Sequence, residues 1–221
     1  MKWHRILISA LAMLVMSWLS VAEAQPIPSS AVACYLVGRF YFNPATGNGE
    51  VAGYFAYING IGDSGSLFNG APSENTAYFT FHTTISISSL PSNGDIIPLL
   101  GSPGTYNIYY NRAPKGDWSN PGSFASGQLI AHFSRPEVFL LQFDSFSFLQ
   151  HTITETLLSS QAFTFPATNG HRYNFNELTP GGITLFNYIS NTSLPPAAGF
   201  PVVLPYAGHG VAVASEDQDS Q

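Results

Sequence analysis

A single cysteine in 221 residues, Cys34, excludes an internal disulfide framework and any Cys-rich zinc module. Charge is scarce as well. Only 9% of residues are charged, against 45% hydrophobic and 14% aromatic, so the chain can bury a sizeable core and is no disordered polyelectrolyte. Positive charge is scarcest. With an apparent secretion signal set aside, five basic residues (Arg39, Arg112, Lys115, Arg135, Arg172) stand against twelve acidic ones. That balance argues against a nucleic-acid partner and against an anionic membrane surface. Phosphate-cradling glycine loops and the dinucleotide fingerprint are absent. No segment of about twelve or more residues has a helical period, and no period of roughly 20–50 residues recurs, which excludes solenoids and propellers.

The two ends differ from the middle. Lys2, His4 and Arg5 precede an apolar run from Ile6 to Val21, and Val21-Ala22-Glu23-Ala24 supplies small residues before a cleavage site at Gln25. Residues 1–24 therefore read as a secretory signal, and the mature protein as secreted, extracellular or periplasmic. The apolar run is shorter than the roughly 20 residues needed to span a bilayer, and no other segment approaches that length, so no integral membrane segment is expected after cleavage. Residues 25–33 read as a linker, 34–193 as one folded domain, and 194–221, rich in Pro, Gly and Ala, as a flexible acidic tail. Cys34 reads as a small buried hydrophobe at the start of the first strand.

Between Cys34 and Ile189 lie sixteen of the seventeen phenylalanines and ten of the eleven tyrosines, in short period-two segments parted by Gly, Pro, Asn, Asp and Ser clusters. This is an all-β pattern. Strands are expected at Tyr35 to Phe42, Glu50 to Ile58, Ala77 to Ile87, Gly104 to Tyr110, Gly127 to Ser134, Val138 to Phe148, His151 to Leu158, Gln161 to Phe165, Arg172 to Phe175 and Gly182 to Ile189, about ten in all. The turn-rich NPATGNG after Phe42 suits a hairpin whose glycines take positive φ. Phase assigns the faces: Phe79, Phe81, Thr83 and Ile85 oppose Tyr78, Thr80, His82 and Thr84, and Leu129, Ala131 and Phe133 oppose Gln128, His132 and Ser134. Val138 to Phe148 is apolar on both faces, with a phase switch near Asp144 that predicts a bulge. Many short strands without βαβ alternation mean a single-domain antiparallel barrel or, alternatively, a β-sandwich, and the doubly apolar strand favours the barrel.

Chemistry is sparse along these strands. Gly62-Asp63-Ser64-Gly65-Ser66 resembles the nucleophile segment of trypsin-like serine peptidases, in which Ser64 would be the nucleophile. That family needs a histidine and an acid upstream, and no histidine lies between Gln25 and Asp63. A Gly/Asp/Ser loop is the simpler reading. No two of His82, His132, His151, His171 and His209 have the spacing of a local metal clamp, so no metal or other cofactor is expected. His82 and His132 project from the polar sides of their strands and would share a site if those strands were neighbours. His151 and Glu155, four apart, fall on one face of a strand. Asp144, in the apolar strand, would have its pKa raised by burial and be poised for proton transfer. These five are the candidate catalytic residues. Trp118, flanked by Asp117 and Asn120 in a polar loop, has the equipment to stack on a sugar ring and bond its hydroxyls, or else folds back to cap the end of the barrel.

The scarcity of ionisable residues in the strand region suits a binding module better than an enzyme, since a pocket needs apolar walls and few polar groups, whereas catalysis needs a clustered acid, base or nucleophile. A secreted module binding a small apolar molecule or a glycan is therefore the leading expectation. A secreted hydrolase or cofactor-free isomerase, and a structural surface protein, are the alternatives.

Overall fold

In the computed structural model, residues 25–61, 64–143, 149–164 and 171–214 are described. They form ten strands: β1 (Val32–Asn43), β2 (Asn48–Ile58), β3 (Phe79–Ser89), β4 (Ile96–Gly101), β5 (Gly104–Tyr110), β6 (Gln128–Arg135), β7 (Val138–Phe143), β8 (Leu149–Ser160), β9 (Ile183–Ile189) and β10 (Val202–Ala212). All pairings are antiparallel. Eight strands close into an up-and-down barrel in the order β1, β2, β3, β5, β6, β8, β9, β10, and β10 returns to pair with β1. The other two prolong their neighbours. Gly104 pairs with Arg135 and Gly101 with Val138, so β4 and β7 continue the β5–β6 ladder in the same frame past an interruption at Ser102-Pro103 and Pro136-Glu137. Prolines at such interruptions are tolerated because no ladder donor is required of them there. The expectation of an antiparallel barrel rather than a sandwich is met.

Local chemistry explains the elements. Gly47 closes the β1–β2 hairpin at φ 71°, donating its N–H to the Asn43 carbonyl at 2.9 Å. The expected phase on β3 holds, with Phe79, Phe81, Thr83 and Ile85 buried inside. Glycines make the interior possible. Gly38 and Gly53 face each other across β1 and β2, and the Phe81 ring lies against both where side chains would otherwise stand. An eight-stranded barrel has an interior just wide enough for side chains or one small ligand. Here one end is plugged: the short helix α1 (Phe175–Leu178), Ile27, Ile61, Leu67 and Phe163 join the buried cluster, and the Ile27 N–H donates to the Leu178 carbonyl at 2.9 Å.

Four sequence expectations need correction. The stretch expected as a tail carries β10, which pairs with β1 from Val32 to Phe42 and with β9 from Ile183 to Ile189 and so closes the barrel. Its alternation was masked by Pro205, Gly208 and Gly210, yet Val203, Tyr206 and Ala212 are buried. The supposed linker is docked at Ile27 and, through the Ser30 N–H, on the Ala212 carbonyl. Of the expected strands Gln161 to Phe165 and Arg172 to Phe175, the described residues 161–164 and 172–175 are not ladder strands; Phe163 and Tyr173 make one isolated bridge before α1. Ile96–Gly101 is a strand that went unpredicted because Pro98 and its all-apolar run hide the alternation. Residues 1–24, the Gly62-Asp63 pair and Asp144 with its expected bulge lie outside the described residues. Among those described, no helix is long and apolar enough to cross a membrane.

Candidate functional site

Opposite the plugged end, the barrel interior holds a pocket whose upper wall is apolar, formed by Phe40, Val51, Ile85, Val138, Leu140 and Ile189. Its deeper wall is polar: Tyr106 from β5, Arg135 from β6, His151 and Glu155 from β8, and Tyr206 from β10. Strand periodicity puts them there. Arg135 continues the inward phase of Ala131 and Phe133, His151 and Glu155 share the phase of Ile153, and Asn187 shares that of Leu185 and Ile189. The sequence expectation that His151 and Glu155 share a face therefore places both inside the barrel.

The hydrogen bonding is partial. Arg135 donates from Nη2 to the Thr84 carbonyl at 2.7 Å, and its guanidinium lies over Gly104, where a Cβ would collide with it. Its Nε and Nη1 have no hydrogen-bond partner among the described residues. Asn187 donates from Nδ2 to His151 Nε2 at 3.2 Å, which assigns the ring proton to Nδ1, itself shielded from solvent and unpartnered. Tyr106 Oη and Glu155 Oε2 are likewise buried without a partner, and no ion pair joins Arg135 to Glu155 among the described residues. Each unmet buried polar atom costs about 1–3 kcal/mol. Several converging on one pocket is therefore an expensive arrangement.

Electrostatics follow from burial. Loss of solvent pushes the Glu155 carboxyl well above the ordinary range, against the opposing pull of Arg135. Burial, aided by the Arg135 charge, pushes His151 down to about 4, so at neutral pH the imidazole is uncharged. Burial also lowers Arg135 and raises Tyr106 and Tyr206 well above the usual phenol range. Cys34, pushed up to about 12 chiefly by burial, is an inert thiol. The pocket is small. Room for water centres within it is about 30 Å³; with the solvent-open mouth counted, its empty space is about 410 Å³.

The other described sequence candidates lie outside the barrel interior. His82 Nε2 meets Glu50 Oε2 at 2.8 Å, and His132 Nδ1 meets Asn107 Oδ1 at 2.7 Å. Their strands are not neighbours: Asn107 on β5 stands between them, paired to both. Trp118 is half-buried against a second small core outside the barrel, its ring 4.8 Å from that of Phe124 and 6.0 Å from that of Tyr54, with the Arg39 guanidinium 4.6 Å from its centroid. Asp117 spends its carboxylate on the Ser119 N–H and hydroxyl, and these bonds hold its pKa below the usual range. Asn120 is exposed and its N–H donates to the Asp117 carbonyl. No group of three or more His, Cys, Asp or Glu side chains among the described residues is arranged to hold a metal ion.

Comparison with protein-family models, with curated proteins and with solved structures returns no match. The functional reading accordingly rests on the chain's own geometry. Arg135, Tyr106, Tyr206 and Asn187 were not singled out from the sequence. For Arg135 the signal was present: it falls two residues beyond Phe133 on the inward phase, an unusual place for a guanidinium.

Proposed function

We propose that the protein is a binding module that admits a small, largely apolar molecule through the open mouth of the barrel, its polar end meeting Arg135, His151, Glu155 and Tyr106. One observation carries this reading: ionisable side chains with unspent hydrogen-bonding atoms line the deep wall of an apolar pocket at the end of the barrel away from the plug. Ligand sites commonly combine apolar walls with a few convergent polar groups, within roughly 300–1,000 Å³. The enclosed part of this pocket, about 30 Å³, falls well below that range and takes only a small polar end group, so the rest of an occupant would lie toward the mouth. A glycan at Trp118 has less support, because that indole is already engaged by Phe124, Tyr54 and Arg39.

The test uses N-phenylnaphthylamine, a neutral fluorophore that brightens in apolar surroundings. Wild type should enhance its emission saturably, Leu140→Trp should abolish the enhancement by filling the pocket, and Tyr188→Ala on the outer wall should leave it intact. Enhancement that survives Leu140→Trp but is lost in Tyr188→Ala would move the site to the outside of the barrel.

A further inference from the structure

We infer that the ligand of this pocket carries a carboxylate on an apolar chain, held by Arg135 with His151 and Tyr106 as further hydrogen-bond donors; the inference rests on the interior-binding reading. Arg135 Nε and Nη1 donate only, and Nδ1 of His151 is a donor because its Nε2 already accepts from Asn187. Tyr106 Oη adds a fourth donor atom. A carboxylate has two oxygens with about four lone-pair sites, so one such group can accept from one edge of the guanidinium and from a neighbouring donor at the same time. An alcohol offers a single oxygen and would leave most of them unmet.

Charge points the same way. Arg135 is buried and makes no ion pair with Glu155, so its positive charge lacks a direct counter-ion in the protein among the described residues. Glu155 is the one group that would oppose an anion, and burial favours its protonated, donating form. An ammonium ligand would gain Glu155 but would meet the Arg135 charge and the donor atoms of Arg135 and His151. The apolar wall of Val51, Ile85, Val138 and Leu140 between this cluster and the mouth selects a chain-bearing acid over a bare anion.

Calorimetric titration of octanoate, octanol, octylammonium and acetate into the protein tests this. Octanoate should bind at least about ten-fold more tightly than octanol, which corresponds to about 1.4 kcal/mol, and acetate and octylammonium should bind more weakly still. Arg135→Gln should remove the preference of acid over alcohol while leaving octanol affinity within about two-fold. If that variant does not fold, carbon NMR of carboxyl-labelled octanoate bound to the wild type gives the answer, because an acid held as its anion titrates below the free acid and one held neutral titrates above it. A raised pKa overturns the inference. Equal affinity for octanoate and octanol overturns the carboxylate and leaves interior binding standing, whereas no binding by any of the four overturns both.

Discussion

Glu155→Gln should steepen the protein's loss of stability in acid, because the two ionisable residues on β8 titrate in opposite senses. His151 is held neutral in the folded barrel, with its pKa pushed from 6.5 down to about 4 by burial and by Arg135. Unfolded chains take up the proton first, so stability falls as pH drops from about 6.5 toward 4 at up to about 1.4 kcal/mol per pH unit, or about 3 kcal/mol in all. Glu155 works the other way. Its folded pKa lies above the ordinary 4.5, so the unfolded carboxyl ionises first as pH rises, and stability is lost from about pH 4.5 upward to its folded pKa. Above pH 4.5 the Glu155 slope opposes that of His151 in the wild type, whose stability should therefore fall less steeply on acidification than that of Glu155→Gln. Glu155→Gln removes one slope and should expose a loss of about 3 kcal/mol on acidification. The reciprocal variant His151→Gln should instead become less stable as pH rises through the same window. Urea unfolding at half-unit pH steps, followed by circular dichroism, measures all three. Parallel curves for wild type and Glu155→Gln would refute a protonated Glu155 in the folded state.

Three further outcomes are expected. A chain ending at Pro201 loses β10 and with it the burial of Val203 and Tyr206, worth about 2 kcal/mol each, and leaves open edges on β1 and β9; it should show no cooperative unfolding transition. Gly53→Ala places a Cβ into the Val37 carbonyl and within 2.8 Å of the Phe81 ring, and should destabilise by more than about 2 kcal/mol in urea unfolding. Trp118→Ala removes the contact with Phe124 and the cation seat of Arg39, and should cost about 3 kcal/mol of stability whether or not any glycan binds.

The β class and the barrel were legible because period-two alternation survives wherever one face is packed inside and the other is wet, as on β3 and β8. Alternation failed where another demand overrode it. On β10, Gly208 and Gly210 are required because a Cβ there would collide with the Asn187 side chain and the Cys34 sulfur, so small residues occupy inward positions that the pattern expects to be large. On β7 the argument that a doubly apolar strand implies closure reached the right architecture on incomplete grounds: Val138 and Leu140 point inward, while Phe139 is half exposed. The site was half legible. His151 and Glu155 could be set on one face by counting, but strand order is needed to bring Arg135 and Tyr106 to them, and order is set by closure between β1 and β10, which no local pattern shows. Trp118 attracted attention by composition alone, and composition does not reveal that Phe124, a residue six positions on, folds under the indole.

The central claim, that the barrel interior is the binding site, is tested most directly by methyl NMR during titration with octanoate. The account predicts shifts concentrated on Val51, Ile85, Val138, Leu140, Ile153 and Leu185, which line the pocket, with Val37 and Leu158 on the outer wall unmoved. Saturable shifts confined to Val37 and Leu158, with the interior methyls silent, would contradict it.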